Sequence, residues 1–330
     1  MKITNINTVK KTIALMAAVI MCLSLFGCAL GKKDEKISIV CTIFPQYDFV
    51  RQITKECNNI EVTMLLKPGQ ESHDYDPSSK DILKIHDADV FIYVGGESDT
   101  WIEDVLLGVE NKNQIRLKLM DMVDVCMEEH AHDEDEHSGQ EEGDHIDNHE
   151  DHNHEYDEHV WTSPVNAMKI TSAISEALCN IEAIDKEKVK TNTEEYLKQL
   201  ENLHNNMKEI IENASGDTLI VADRFPILYF CNEYGLKYYA AFSGCATSVE
   251  PSTAIIIELI DKVNELNVPC IIAMEMSAAA TAKHIAEETG KEVITFYPCH
   301  NVTSDDMATG VTYIDLMNRN METLKKALQY

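Results

Sequence analysis

The chain has 330 residues, 44% of them hydrophobic, which is enough for two ordinary globular domains with their own cores. Its formal net charge of -29 disfavours nucleic acid and anionic lipid as partners, because like charges repel, and favours cations such as metal ions. It contains no G-x-S-x-G, G-x-G-x-x-G or Walker sequence, so the common hydrolase and nucleotide-binding classes lack their motifs.

The N-terminus has the pattern of a bacterial lipoprotein signal. Two lysines precede an apolar run from Ile13 to Phe26, which is shorter than the roughly 20 residues of a membrane-spanning helix. Leu-Phe-Gly-Cys then resembles a lipobox, although Phe26 is bulkier than usual. We predict a signal peptide at 1–27, lipid attachment at Cys28, a linker at 28–36, and a protein anchored on the outer face of the membrane.

From Ile37 onward, short β-rich runs alternate with helical ones. ISIVCT, IEVTMLL and DVFIYVG are predicted strands, and FPQYDFVRQI and SSKDILKI are predicted helices. Strands separated by helices predict a parallel sheet that is covered on both faces.

The segment from Glu128 to Glu158 has no periodic apolar pattern. From Glu128 to Trp161 the chain holds eight of its thirteen histidines and fifteen carboxylates, and no Lys or Arg occurs from Leu119 to Met168. We predict a mobile loop in which seven histidines capture metal ions weakly: His130, His132, His137, His145, His149, His152 and His154. The alternative is a solvated acidic insertion whose histidines are incidental.

Helical patterns follow, and then a second βα alternation. Ser163 and Pro164 start one helix, and apolar positions from Val189 to Ile210 mark a rod of some 28 residues that ends before Gly216. The strands TLIVA, LKYYAA, PCIIAMEM and EVITFYP come next, separated by helices. We predict an α/β fold of two lobes with parallel sheets flanked by helices, joined by one long rigid helix, with an N-terminal lobe at 37–185, the helix at 186–213 and a C-terminal lobe at 214–330.

Three histidines lie where loops meet regular elements. His73 follows the strand IEVTMLL, His159 ends the acidic tract in DEHVWTSP, and His300 follows EVITFYP. Loops beyond the carboxyl ends of strands form the binding sites of doubly wound sheets, and three imidazoles satisfy three of the four positions that zinc prefers.

The motifs TIFPQYDFVRQI, MLLKPGQESHDYDPS, DEHVWTSP after a His-rich loop, and GVTYIDLMNRNMETLKKAL resemble the zinc and manganese substrate-binding lipoproteins of metal ABC transporters. The likeness runs in order from Ile37 to the C-terminus. It implies a monomer of two Rossmann-like lobes that holds a metal ion in the interlobe cleft and delivers it to a membrane permease, without catalysis.

The resemblance carries over residue by residue to His73 and His159 as the ligands from the N-terminal lobe. The family's third ligand place falls on Arg224, which cannot bind a cation, so Asp223 is a weaker candidate one residue earlier. The fourth place is a carboxylate in the family, and His300 replaces it here. Glu71 and Glu275 are expected to support the site rather than to ligate the metal.

Three histidines favour Zn²⁺ over Mn²⁺, because carboxylate-rich sites suit manganese. A manganese receptor and a surface metal buffer or adhesin stay open as alternatives. A metal hydrolase is disfavoured, because the histidines of HEYDEH are five positions apart rather than the four that H-E-x-x-H requires. Cys245 and Cys299 form a disulfide, supply a thiolate ligand, or are two unrelated thiols.

Overall fold

The computed structural model describes residues 36–73, 75–128, 156–242 and 250–330, and Ile37–Tyr330 forms one compact unit. Within these residues, eight strands form two four-stranded sheets, and every strand pair is parallel. The predicted α/β fold of two parallel-sheet lobes is confirmed.

The first sheet has the strand order β2-β1-β3-β4. Strand β2 is therefore added on one side of β1, and β3 and β4 are added on the other side. Ile37 lies opposite Ile60, and Val90 lies opposite Ile115. The elements are β1 (Ile37–Cys41), α1 (Phe44–Ile53), β2 (Ile60–Met64), α2 (Ser79–Asp87), β3 (Val90–Tyr93), α3 (Trp101–Leu107) and β4 (Ile115–Lys118). Helix α3 and strand β4 were not predicted; β4 reads IRLK, and its two charges in four residues leave no apolar run.

The second sheet repeats this order as β6-β5-β7-β8. Two helices, α4 (Pro164–Cys179) and α5 (Lys186–Asn213), precede it in the chain. Its elements are β5 (Thr218–Val221), α6 (Leu228–Tyr234), β6 (Lys237–Ala240), α7 (Thr253–Glu265), β7 (Cys270–Met274), α8 (Ala280–Thr289), β8 (Glu292–Phe296), α9 (Ser304–Thr309) and α10 (Tyr313–Ala327).

Helix α5 is continuous over 28 residues, and Asp185 caps it by accepting a hydrogen bond from the Lys188 backbone N–H. One stripe of the helix is buried: Val189, Thr193, Tyr196, Leu200, Leu203, Met207 and Ile210. This stripe belongs to a hydrophobic cluster that also contains residues of both sheets, so α5 packs into a core that both lobes share.

Loops of the two lobes are hydrogen-bonded to each other beside the candidate site. Trp161 donates its indole N–H to the Pro298 carbonyl at 2.8 Å, and the Phe44 N–H reaches the His300 carbonyl at 3.2 Å. The Gly69 N–H, in a left-handed turn with φ 80°, donates to the Val302 carbonyl at 2.8 Å. The loops after β1 and β2 therefore contact the loop after β8 directly.

Candidate metal site

The structure brings His73, His159 and His300 together although they lie far apart in sequence. The ring centroids are 5.5 Å apart for His73 and His159, and 6.4 Å apart for His73 and His300. Three imidazoles that share one tetrahedral zinc through Zn–N bonds of about 2.0–2.1 Å have centroids about 5 Å apart. Both centroid distances from His73 are within about 1.5 Å of that value.

His73 is oriented by a serine and a carboxylate. The Ser98 Oγ lies 2.8 Å from His73 Nδ1 and 2.5 Å from Glu158 Oε1, and the Ser98 N–H donates to Glu158 Oε2 at 3.0 Å. An ionised carboxylate only accepts hydrogen bonds, so the hydroxyl donates to Glu158 and accepts from the Nδ1–H of His73. The remaining ring nitrogen, Nε2, is buried and has no hydrogen-bond partner. It is therefore the nitrogen that presents a lone pair to a metal.

Gly96 makes this close approach possible. A Cβ atom added at Gly96 would lie 2.2 Å from Glu158 Oε2, so a side chain there would push the carboxylate away. The neighbouring Asp99 accepts the backbone N–H groups of Val94 and Gly95, which holds the turn that carries Ser98.

His159 has a carboxylate partner from its own segment. Asp157 Oδ1 accepts the His159 backbone N–H at 2.7 Å and lies 3.1 Å from the ring Nδ1. Such a carboxylate–imidazole pair fixes the tautomer with Nδ1 protonated, and Nε2 is then the metal-ligating nitrogen. Trp161 packs edge-on against this ring at 5.4 Å, so the indole holds the imidazole from a second side.

His300 follows Cys299, a non-glycine residue in the left-handed region with φ 64°. This turn directs the chain back toward the N-terminal lobe after β8. Both ring nitrogens of His300 are buried without a hydrogen-bond partner. Burial lowers the pKa of His300 to about 4, and burial is also the largest effect that lowers the pKa of His73. Both rings are therefore neutral at physiological pH, which is the form that binds metals.

His73, Asp223 and His300 line one cavity of about 580 Å³, together with Glu71, Arg224 and Glu275. Arg224 is the one Lys or Arg among the described residues that line it, against four acidic side chains that include Glu250. An acidic lining concentrates cations. The Glu275 Oε2 is buried there without a hydrogen-bond partner, and burial raises the pKa of Glu275 to about 7.

Asp223 lies in the cavity wall, and both of its oxygens accept backbone hydrogen bonds. Oδ1 accepts the Arg224 N–H at 2.9 Å, and Oδ2 accepts the Met274 N–H at 3.1 Å. In the part of the chain that the structure describes, the one set of three or more potential ligands with atoms within 4.8 Å of one another is His73, Glu158 and His159. Neither Asp223 nor His300 belongs to this set, and the ligand roles of both stay predictions.

Asp157, Glu158 and Ser98 were missed as site residues. Both acids belong to the segment ending at 158 that was predicted to be a mobile loop, but both are buried and contact the rings of His159 and His73. The available signal was their position directly before His159 in DEHVW. Nothing local identifies Ser98, because its partners are 25 and 60 residues away.

Several predicted residues lie outside the described residues: Cys28, Cys245 and the seven loop histidines His130, His132, His137, His145, His149, His152 and His154. Their roles stay predictions. Cys299 is a buried free thiol whose Sγ lies 3.3 Å from the Tyr297 carbonyl.

Two curated relatives with zinc-related names match almost the whole chain. The zinc-binding lipoprotein AdcA of Streptococcus pneumoniae R6 is 32% identical over 318 residues, which is 96% of this chain and 61% of that protein. The chain thus spans about three fifths of the length of AdcA. The high-affinity zinc uptake system protein ZnuA of Bacillus subtilis is 29% identical over 90% of this chain and 89% of its own length.

Solved structures agree with the fold and the family. The Zn(II)-bound ZnuA-like domain of Streptococcus pneumoniae AdcA has a TM-score of 0.70 at 27% identity and covers 89% of this chain and 100% of that domain. The metal-dependent lipoprotein YcdH of Bacillus subtilis has a TM-score of 0.73 at 26% identity, with the same coverage of both chains. The family described as zinc-uptake complex component A periplasmic, ZnuA, matches residues 39–327, so this chain belongs to the ZnuA family.

Proposed function

We propose that the chain is an extracytoplasmic receptor that binds Zn²⁺ with high affinity as cargo and delivers it to an ABC permease. His73, His159 and His300 are the proposed ligands, with Asp223 as a weaker candidate. The observation that carries this proposal is the convergence of three imidazoles from three loops, two of them with Nδ1 held by an outer partner.

The relatives support zinc as the cargo. AdcA is named a zinc-binding lipoprotein, its ZnuA-like domain has been solved with Zn(II) bound, and the Bacillus protein is named for high-affinity zinc uptake. Imidazole ligands point the same way, because a manganese site would be richer in carboxylates. These names describe zinc binding and zinc uptake, and no reaction step is proposed.

The proposed location follows from the lipobox and the relatives. Cys28 would carry the lipid, residues 28–36 would form the linker, and the lobes at 37–185 and 214–330 would be joined by the helix at 186–213. Within the described residues, no helix is both long and apolar enough to span a bilayer. The permease would meet the receptor at the outer membrane face, and we propose that the receptor acts as a monomer.

Single substitutions of the three histidines by alanine test the site. Zn²⁺ binding would be measured on the full chain in competition with a chelator strong enough to leave weak sites empty. Each substitution should abolish the tight binding of one Zn²⁺ per chain, because it removes one of the three imidazole ligands. His86→Ala is the matched control, since His86 lies on α2 with 39% of its side chain exposed. Tight zinc binding that survives His73→Ala would overturn the proposed site.

Deleting residues 129–155 separates the site from the His-rich segment. This excision keeps Tyr156, which forms a β-bridge with Met127, and keeps Asp157, which holds His159. One tight zinc per chain should remain. A complete loss of tight binding would mean that the His-rich segment is the binder, and a metal buffer would replace the receptor as the proposed function.

A further inference from the structure

Glu71 lies between His300 and Arg224, at the edge of the imidazole cluster. Its Oε1 is 3.9 Å from His300 Nε2, and its Oε2 is 3.1 Å from Arg224 Nη1. Glu71 therefore lies between an imidazole on one side and a guanidinium on the other.

Two other carboxylates contact the rings on their Nδ1 edges. Glu158 and Asp157 lie on the Nδ1 edges of His73 and His159. Among the described residues, Glu71 is the carboxylate that lies on an Nε2 edge, the edge at which the ion would bind, and the same Oε1 also accepts the Ser72 N–H.

The distance from Glu71 to His300 suits a shared ion. Two ligand atoms of one tetrahedral zinc lie roughly 3.3 Å apart when each metal–ligand bond is about 2.0–2.1 Å long. The observed 3.9 Å between Glu71 Oε1 and His300 Nε2 is close to that value. Three histidines and one carboxylate would complete a four-coordinate site.

We propose that Glu71 is the fourth ligand of the cargo ion, and that Arg224 competes with the ion for this carboxylate. The inference rests on the proposed function, and it gives Glu71 a ligand role in place of the supporting role predicted from sequence. Arg224 stays protonated at any physiological pH. Its guanidinium neutralises Glu71 and repels a divalent ion at the same place, so Arg224 lowers the affinity for metal and eases release.

The test compares Zn²⁺ and Mn²⁺ affinities of the full chain with those of Glu71→Gln and Arg224→Gln. Glutamine keeps the shape of Glu71 and an acceptor for the Ser72 N–H at 3.0 Å. We expect Glu71→Gln to weaken Mn²⁺ binding by about 100-fold and Zn²⁺ binding by about tenfold, because manganese depends more on carboxylate ligands. We expect Arg224→Gln to tighten binding of both metals by about tenfold, since one opposing charge is removed.

The controls make the same changes away from the site. Arg116→Gln removes an arginine on the exposed side of β4, and Glu195→Gln removes an exposed acid on α5. Neither should change either affinity, and thermal unfolding of metal-free protein would verify that all variants fold.

Wild-type affinities in Glu71→Gln would overturn the proposal, and so would equal weakening of both metals, which indicates a purely structural role. Unchanged or weaker binding in Arg224→Gln would overturn the competing role of the arginine. His73→Ala keeps these failures distinct from failure of the receptor function. If His73→Ala loses tight zinc while Glu71→Gln does not, the receptor stands and only Glu71 is excluded.

Discussion

Ser98→Ala tests whether the hydroxyl between Glu158 and His73 prepares the ring for metal. The substitution removes the 2.5 Å bond to Glu158 Oε1 and the 2.8 Å bond to His73 Nδ1, and it keeps the backbone bond from Ser98 to Glu158. Glu158 Oε1 and His73 Nδ1 are 3.5 Å apart, so a weaker direct ion pair is all that links them afterwards.

The expected cost follows from the burial of this network. The side chains of His73 and Glu158 are 18% and 11% exposed, so water compensates little for the lost hydroxyl. A hydrogen bond to a charged group contributes about 1.5–3 kcal/mol, and we expect the free energy of unfolding to fall by about that amount. Outer partners of metal-binding histidines typically contribute 10–100-fold to affinity, so Zn²⁺ binding should weaken by about 1.4–2.8 kcal/mol.

Chelator competition and urea denaturation would measure the two effects on the same protein. Ser172→Ala is the matched control, because the Ser172 hydroxyl donates to the Met168 carbonyl on an exposed face of α4. Ser98→Thr restores a hydroxyl and should recover most of the affinity. A Ser98→Ala protein that binds zinc as tightly as the parent would refute the orienting role of the hydroxyl.

Three further outcomes can be measured by urea denaturation of metal-free protein. Burial lowers the pKa of His300 from 6.5 to about 4, so between these pH values the unfolded chain binds a proton that the folded protein does not bind. The free energy of unfolding should therefore fall by about 3 kcal/mol as the pH is lowered from above 6.5 to 4. His300→Gln should flatten that decline, and an unchanged slope would contradict the shift. Trp161→Phe leaves the buried Pro298 carbonyl unpaired and should cost about 1–3 kcal/mol, an effect that vanishes if water replaces the indole. Leu200→Ala opens a cavity under α5 and should cost about 2–5 kcal/mol, whereas a cost below 1 kcal/mol would mean that the core collapses around it.

The alternation of short apolar runs and helical runs was sufficient to predict both parallel sheets, because buried parallel strands have a nearly continuous apolar sequence. The apolar stripe from Val189 to Ile210 likewise predicted a single long helix, which α5 is. These features are local, so a single sequence contains them. Strand β4, which reads IRLK, carries two charges in four residues and gives no comparable signal.

The proximity of His73 to His159 and His300 could be predicted because each lies at a loop junction where a binding site is expected. Their outer partners could not be predicted in the same way. Asp157 and Glu158 continue a run of acidic residues whose composition indicates a solvated loop, and only the fold shows that these two are buried. Arg224 was recognised as a residue that cannot bind metal, but its pairing with Glu71 depends on contacts between separate lobes.

The ligand-bearing loops are positioned by the protein itself. Asn301, next to His300, donates to the carbonyls of Lys67 and Gln70 at 2.7 Å each, and these carbonyls lie in the loop that carries His73. The two lobes are therefore connected at the site by hydrogen bonds that do not involve an ion. An ion bound there would find its ligands close to their final positions, so little of its binding energy would be lost in ordering them. Zinc should then stabilise the fold by mass action, by about 4 kcal/mol at a free concentration 1,000 times the Kd, without requiring a large movement of the lobes.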